Sequence, residues 1–213
     1  MPLTAIVLGA SGLVGRALVD QLAASPDYEK IITLTRRASP HPSTKVENRV
    51  INFEQLAQSA ESLRGDRLFS CLGTTLKRAG SVEAQRTVDL TYQLEVARLA
   101  ARNGVPHYLL VSSSGANAKS RSAYLKMKGD LEEAVTQLPF ERISIFQPSL
   151  LLGQRDHFRF GETLGSWVLP LLCKLPGLHR YRPIEAEQVA RKMLGVSTRA
   201  GSGVETFTLD EIF

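Results

Sequence analysis

Apolar residues fall in short runs along most of this chain, and between the runs they recur at helical spacing. Leu3-Thr4-Ala5-Ile6-Val7-Leu8 reads as a strand, Gly9 to Gly15 as a turn, and Leu13, Val14, Ala17, Leu18 and Leu22 as one face of a helix. Further strand runs, rich in Ile, Val, Leu and Phe, lie at 30–35, 49–53, 67–71, 107–113 and 140–146. The longest helical pattern runs from about 81 to 103, with Val82, Val88, Leu94, Val96, Leu99 and Ala100 as buried candidates and Gly104 as its C-terminal cap. Another spans roughly 121–138. Nearly continuous apolar strands alternating with helices predict an α/β, doubly wound parallel sheet covered on both faces. The last third is less regular, with a helix at 185–197 and a strand at 204–209. One domain spanning 1–213 is expected, in which residues from about 150 onward form a small substrate or lid lobe. There is no internal repeat, and the Pro/Ser-rich stretch 38–43 reads as a surface loop.

Composition narrows the setting. With 213 residues, 43% of them hydrophobic and 22% charged, the chain fits a globular domain rather than a disordered one. No apolar run reaches the ~18 residues of a membrane span, since 164–178 is broken by Pro170, Lys174 and Pro176. The start lacks the basic region of a secretory signal, and Cys71 and Cys173, 102 positions apart, make neither a disulfide framework nor a CxxC metal site. A reducing cytoplasm is the expected location. The net charge of +5 comes from pairs and scattered singles, never a block, so no nucleic-acid partner is expected. The four histidines show no ligand spacing, which predicts no metal.

Gly9-Ala10-Ser11-Gly12-Leu13-Val14-Gly15 places GxxGxxG directly after the first strand. There the first glycine permits a tight turn, the second admits a pyrophosphate to the backbone, and the third lets helix and strand pack closely. The helix start offers N–H groups and a positive dipole end to phosphate oxygens. Glycines serving packing alone are the competing reading. About 20 residues on, where enzymes preferring the non-phosphorylated cofactor carry Asp or Glu, the chain reads Leu34-Thr35-Arg36-Arg37. A guanidinium binds a 2′-phosphate that a carboxylate would repel, so Arg36, backed by Arg37, points to NADP, against the alternative of an ordinary exposed pair.

Val111-Ser112-Ser113-Ser114-Gly115 closes the fifth strand run, and Tyr124-Leu125-Lys126-Met127-Lys128 opens the helix after it. Tyr124 and Lys128, four apart, share a helical face, while Lys126 points roughly the opposite way. A phenol at its reference pKa of ~10 exchanges protons poorly at neutral pH. An ammonium within ~4 Å, at an effective dielectric of ~20, would favour its ionised form by about 4 kcal/mol, or roughly three pKa units. Taken alone, the pair would also suit an ordinary amphipathic helix.

Strand, GxxGxxG, helix, a serine run closing the fifth strand and YxxxK together resemble the short-chain dehydrogenase/reductase superfamily in its extended and atypical branches. Within it, Cys71-Leu72-Gly73-Thr74-Thr75, Tyr124-Leu125-x-x-Lys128-Gly129 and Gln147-Pro148-Ser149-Leu150-Leu151-Leu152-Gly153 are similar to the small Tat-interacting-protein oxidoreductase group. The resemblance implies Tyr124 as general acid/base, Lys128 on the nicotinamide ribose, and Ser113 or Ser112 on the substrate carbonyl. It implies further that Cys71, Leu72, Gly73 and Thr74 pass beside the cofactor, that Asn52 and Phe53 lie near adenine, and that Pro148, Ser149 and Leu150 flank the nicotinamide. Asn52 stands where many relatives carry Asp, and no Asn is evident in the helix after Ser81 to complete a catalytic tetrad.

Cys71, at a strand's carboxyl end, reads as a packing residue, with a redox thiol as the alternative. The stretch around Phe158, Phe160 and Trp167 reads as a lid or a contact to a second subunit or protein partner. The expected function is an NADPH-dependent oxidoreductase acting on a small carbonyl compound. An NADPH-sensing regulator with little turnover and a sugar-nucleotide epimerase-like enzyme are the alternatives.

Overall fold

The computed structural model describes residues 2–152 and 182–213. Strand β1 (Leu3–Leu8) leads into helix α1 (Leu13–Ala24), followed by β2 (Tyr28–Thr35), β3 (Val46–Val50) and β4 (Arg67–Ser70). The short helices α2 (Leu76–Ala79) and α3 (Val82–Arg86) precede α4 (Tyr92–Arg102), β5 (His107–Val111), α5 (Ala123–Val135) and β6 (Arg142–Gln147). A two-stranded pair, β7 (Leu151–Leu152) and β8 (Ile184–Glu185), leads to α6 (Ala186–Ser197) and β9 (Gly203–Thr208).

Seven strands form one sheet in the order β3-β2-β1-β4-β5-β6-β9, and all its pairings are parallel. The expected doubly wound Rossmann architecture is therefore the observed one. Both faces are buried because alternate strand residues feed two cores. Ala5 and Val7 join Leu18 and Leu22 of α1 and Val189 and Met193 of α6. Ile6 and Leu8 join Val96 and Ala100 of α4 and Leu131 and Val135 of α5 on the other side. Each such side chain contributes on the order of 1.5–3 kcal/mol by leaving water, which is why the inner strands read as unbroken apolar runs.

Two expectations shift. The run 49–53 is strand only at its start: β3 spans Val46–Val50, so the strand begins and ends earlier than expected, and Phe53 opens a 3₁₀ helix, Phe53–Ser62. The cause is local, since the Asn52 side-chain oxygen accepts the Glu54 N–H at 3.0 Å and starts a helical turn. The pattern 81–103 is broken by a π turn, Thr87–Thr91, between α3 and α4. That turn re-aims the face: Val82 is exposed, whereas Gln85, Asp89 and Gln93 are buried. The Gly104 cap holds: its φ is +77°, its N–H donates to Ala101 O and that of Val105 to Ala100 O, a Schellman closure. Of the segment expected as a small lobe, α6 and β9 belong to the layers of the main sheet and β7 and β8 form a separate pair, while the stretch around Phe158, Phe160 and Trp167 lies outside the described residues.

Candidate functional site

The strand order reverses between β1 and β4, and a crevice opens at the carboxyl ends of such a pair. Gly9 ends β1 with φ +80°, and a Cβ there would lie 2.5 Å from the Cys71 and Leu72 backbone at the end of β4. The chain can pass only as glycine. A Cβ on Gly15 would lie 2.2 Å from Gly9 O, so Gly15 lets α1 pack on the turn. Gly12 caps α1 without a side chain, and the helix has no acidic residue in its first turn, so its amino end presents backbone N–H groups to an anion.

These turns border a cavity of about 790 Å³. Of the expected cofactor residues, Gly9, Ser11, Gly12, Arg36, Phe53, Cys71, Leu72, Gly73 and Thr74 line it. Leu13 and Val14 pack against the core, Asn52 serves as a cap, and Arg37 is exposed outside the lining. Sequence reasoning missed Glu54, Arg78 and Tyr92, which also line it. Tyr92 stacks obliquely on Phe53, with ring centroids 5.3 Å apart, and its hydroxyl donates to Glu54. Burial pushes the Tyr92 hydroxyl up, Glu54 adds to this, and the Arg36 charge opposes it, so Arg36 acts on this wall of the cavity. Burial likewise pushes the Cys71 thiol up to about 12 against the Lys128 charge, which favours its packing role over a redox one.

Beyond the cavity lining, the serine run extends the β5–β6 ladder. Ser112 N–H donates to Phe146 O at 2.7 Å and Ser114 N–H to Pro148 O at 2.9 Å, setting the serines beside the Pro148–Leu150 segment. The Ser149 hydroxyl donates to Arg182 O at 2.5 Å, tying that segment to the chain before β8. The loop after the serines lies tightly on α5, because a Cβ on Gly129 would sit 2.1 Å from Ala118 N. Asn117 N–H donates to Leu125 O at 3.0 Å. Serine run and YxxxK helix are thereby held together.

On α5, Tyr124 is 37% exposed while Lys128 is 3% exposed, with its Nζ 6.0 Å from the Tyr124 ring centroid. Lys126 faces away, bonded to Ala118 O and Asp130. Two carboxylates that sequence reasoning missed flank Lys128. Asp89, 1% exposed, brings Oδ1 to 3.2 Å from Nζ, while its Oδ2 accepts the Thr74 N–H at 3.0 Å. Glu132, one turn along α5, accepts the Gln147 amide at 3.0 Å on both oxygens. Burial raises the Glu132 pKa, while the hydrogen bonds from Gln147 and the Lys128 charge work against that rise.

The sequence matches the profile of the NAD dependent epimerase/dehydratase family over residues 5–163. The chain belongs to that family. It is 38% identical over 176 residues to protein fmp52, mitochondrial, of Emericella nidulans, covering 79% of this chain and 76% of that protein. It is 38% identical over 162 residues to protein HTATIP2 of Rattus norvegicus, covering 74% of this chain and 66% of that protein. Among solved structures, a short-chain dehydrogenase/reductase superfamily protein from Agrobacterium tumefaciens with bound NAD superposes with a TM-score of 0.72 at 16% identity, covering 97% of this chain and 77% of that one. The epimerase/dehydratase member described here accordingly carries the NAD(P)-binding Rossmann fold. Its residues fit a dinucleotide: the Gly9 turn has no room for a Cβ, and α1 directs an uncapped amino end at the crevice.

Proposed function

We propose that this chain is an NADP(H)-dependent oxidoreductase that interconverts a small carbonyl compound and its alcohol. The observation that carries this reading is the pairing of a half-exposed Tyr124 with a buried Lys128 on one face of α5, a helix held against the loop that follows the serine run. Gly9, Ser11, Gly12 and Thr74 would hold the dinucleotide, with Arg36 on its 2′-phosphate. The nicotinamide, when bound, supplies a hydride to the carbonyl carbon. Tyr124 gives its hydroxyl proton to the carbonyl oxygen, so that one hydride and one proton make the alcohol. Lys128 would stabilise the phenolate left behind and hold the nicotinamide ribose hydroxyls, and Ser113 would orient the carbonyl. Ser112, buried, ties that strand end to β6 through its N–H on Phe146 O.

The test is NADPH oxidation by the wild type and Tyr124→Phe over a panel of aldehydes, ketones and quinones. Loss of the tyrosine hydroxyl should cut turnover by about 10²-fold or more while leaving NADPH binding within about threefold. Turnover independent of the hydroxyl sinks the assignment, and NADPH binding without any turnover moves the reading to a cofactor-sensing regulator. Family membership favours one further reading, a sugar-nucleotide epimerase using the same residues. It would interconvert two sugars with no net oxidation of the cofactor.

A further inference from the structure

We propose that Asp89 is a positioning residue that fixes the Lys128 ammonium and couples it to the cofactor loop at Thr74, a role that rests on the function proposed above. One carboxylate oxygen meets Nζ at 3.2 Å and the other accepts the Thr74 N–H at 3.0 Å, so a single side chain joins α5 to the loop lining the dinucleotide cavity. Thr74 is held from its other side as well, its carbonyl accepting Gln85 Nε2 at 3.2 Å.

Burial argues against a plain stabilising pair. The side chains are 4% and 1% exposed, and an ion pair that deep is often no more stabilising than apolar residues of the same shape. What it fixes is position. Charged and titratable groups around Lys128 are Tyr124 and Glu132 from its own helix, Cys71 from the end of β4, and Asp89 from the π turn. Among the described residues Asp89 alone is within ion-pair distance of it.

The backbone is bent to deliver this carboxylate. Asp89 lies within Thr87–Thr91, where the i→i+4 ladder is interrupted, and π turns of this kind concentrate at functional positions. The Asp89 carbonyl accepts Gln93 Nε2 at 2.7 Å within the buried interior. Gly73 keeps the approach open, since a Cβ there would lie 3.3 Å from Asp89 Oδ1.

A mutant cycle separates positioning from a structural role. Asp89→Asn keeps an oxygen for the Thr74 N–H and removes only the charge facing Nζ. NADPH affinity is measured by calorimetry for the wild type, Asp89→Asn, Lys128→Met and the double variant, with thermal unfolding alongside. If Asp89 acts through Lys128, Asp89→Asn weakens NADPH about tenfold in the wild type and less than about twofold in the Lys128→Met background. Equal fold-changes in both backgrounds overturn the proposal, because a purely structural acid contributes the same with or without its lysine. Should Lys128→Met fail to fold around an unpaired carboxylate, Asp89→Asn and the double variant decide. Affinities within about twofold support positioning, and a double variant weaker by about fivefold or more overturns it. A wild type that binds no NADPH overturns the cofactor reading and this inference together, whereas a wild type that binds it beside an unaffected Asp89→Asn overturns this inference alone.

Discussion

Arg36 is the residue on which the proposed choice of NADPH over NADH turns. It lines the cavity beside Tyr92 and Glu54, and its charge reaches the Tyr92 hydroxyl. A guanidinium in that place binds a 2′-phosphate through charge-assisted hydrogen bonds, and the ribose diol of NADH offers no such charge. NADPH should therefore bind at least about tenfold more tightly than NADH, a difference of ~1.4 kcal/mol, and Arg36→Ala should erase most of that ratio while leaving NADH nearly unchanged. Calorimetric titration of both dinucleotides checks this, and equal wild-type affinities remove the arginine from the site. Arg36 was legible because its distance from the glycine turn is fixed by one helix and one strand. Arg78 was not, because only the fold brings its short helix over the cavity. Asp89 stayed hidden for another reason: it falls on the face of Val96 and Ala100 at helical spacing, but a carboxylate reads as solvated until its partner is known, and that partner, Lys128, stands on another helix.

At the scale of elements, α6 shows how a helix end is held. Its carboxyl end is held by side chains from three strands. Arg142 Nη1 donates to Val196 O at 3.2 Å and to Arg199 O at 2.6 Å, and Arg67 Nε donates to Ser197 O at 2.8 Å. The Tyr28 hydroxyl donates to Ser197 Oγ at 2.7 Å. Cations at a helix carboxyl end complement its dipole and satisfy carbonyls that have no intrahelical partner. Gly201 makes room, since a Cβ there would lie 2.9 Å from the Arg142 guanidinium carbon. Arg142→Met should therefore cost about 2–4 kcal/mol and lower the Tm by roughly 5–15 °C, because several buried acceptors lose their donor at once. NADPH affinity should hold, as Arg142 opens β6 at the end opposite the cleft. Thermal unfolding with and without NADPH measures both, and a Tm drop under about 2 °C would remove Arg142 from this role. Elements whose period survives in the sequence, such as β1, α1 and α6, were legible. The strand at 49–53 was misplaced because β3 is a half-exposed edge strand, Val46-Glu47-Asn48-Arg49-Val50, without the apolar run that marks inner strands.

For the whole molecule, the polar groups at the amino ends of β5, β6 and β9 set how stability depends on pH. His107 is 3% exposed, and its Nε2 lies 2.8 Å from Ser144 Oγ, which in turn donates to Glu205. Burial, reinforced by the Arg142 and Arg67 charges, pushes the imidazole down to about 3. Unfolded, a histidine titrates near ~6.5. Above that value neither state is protonated and His107 adds no pH dependence. Between ~6.5 and about 3 the unfolded chain takes up a proton that the folded one refuses, so stability falls as pH falls, by up to ~1.4 kcal/mol per pH unit. Glu47 acts in the same direction at lower pH. Hydrogen bonds from Arg49 and Lys30 hold it down to about 2, so its contribution is present above the usual carboxylate range and is lost on acidification. Its side chain is 43% exposed, so solvent screens it and it adds little. Wild-type stability should thus drop by about 2–3 kcal/mol between pH 6.5 and 4.5. His107→Gln, which keeps a side-chain polar group for Ser144 but cannot take up a proton, should start less stable at pH 7 and decline less steeply across that interval. Urea unfolding at half-unit pH steps checks this, and parallel wild-type and variant slopes would place the acid sensitivity elsewhere.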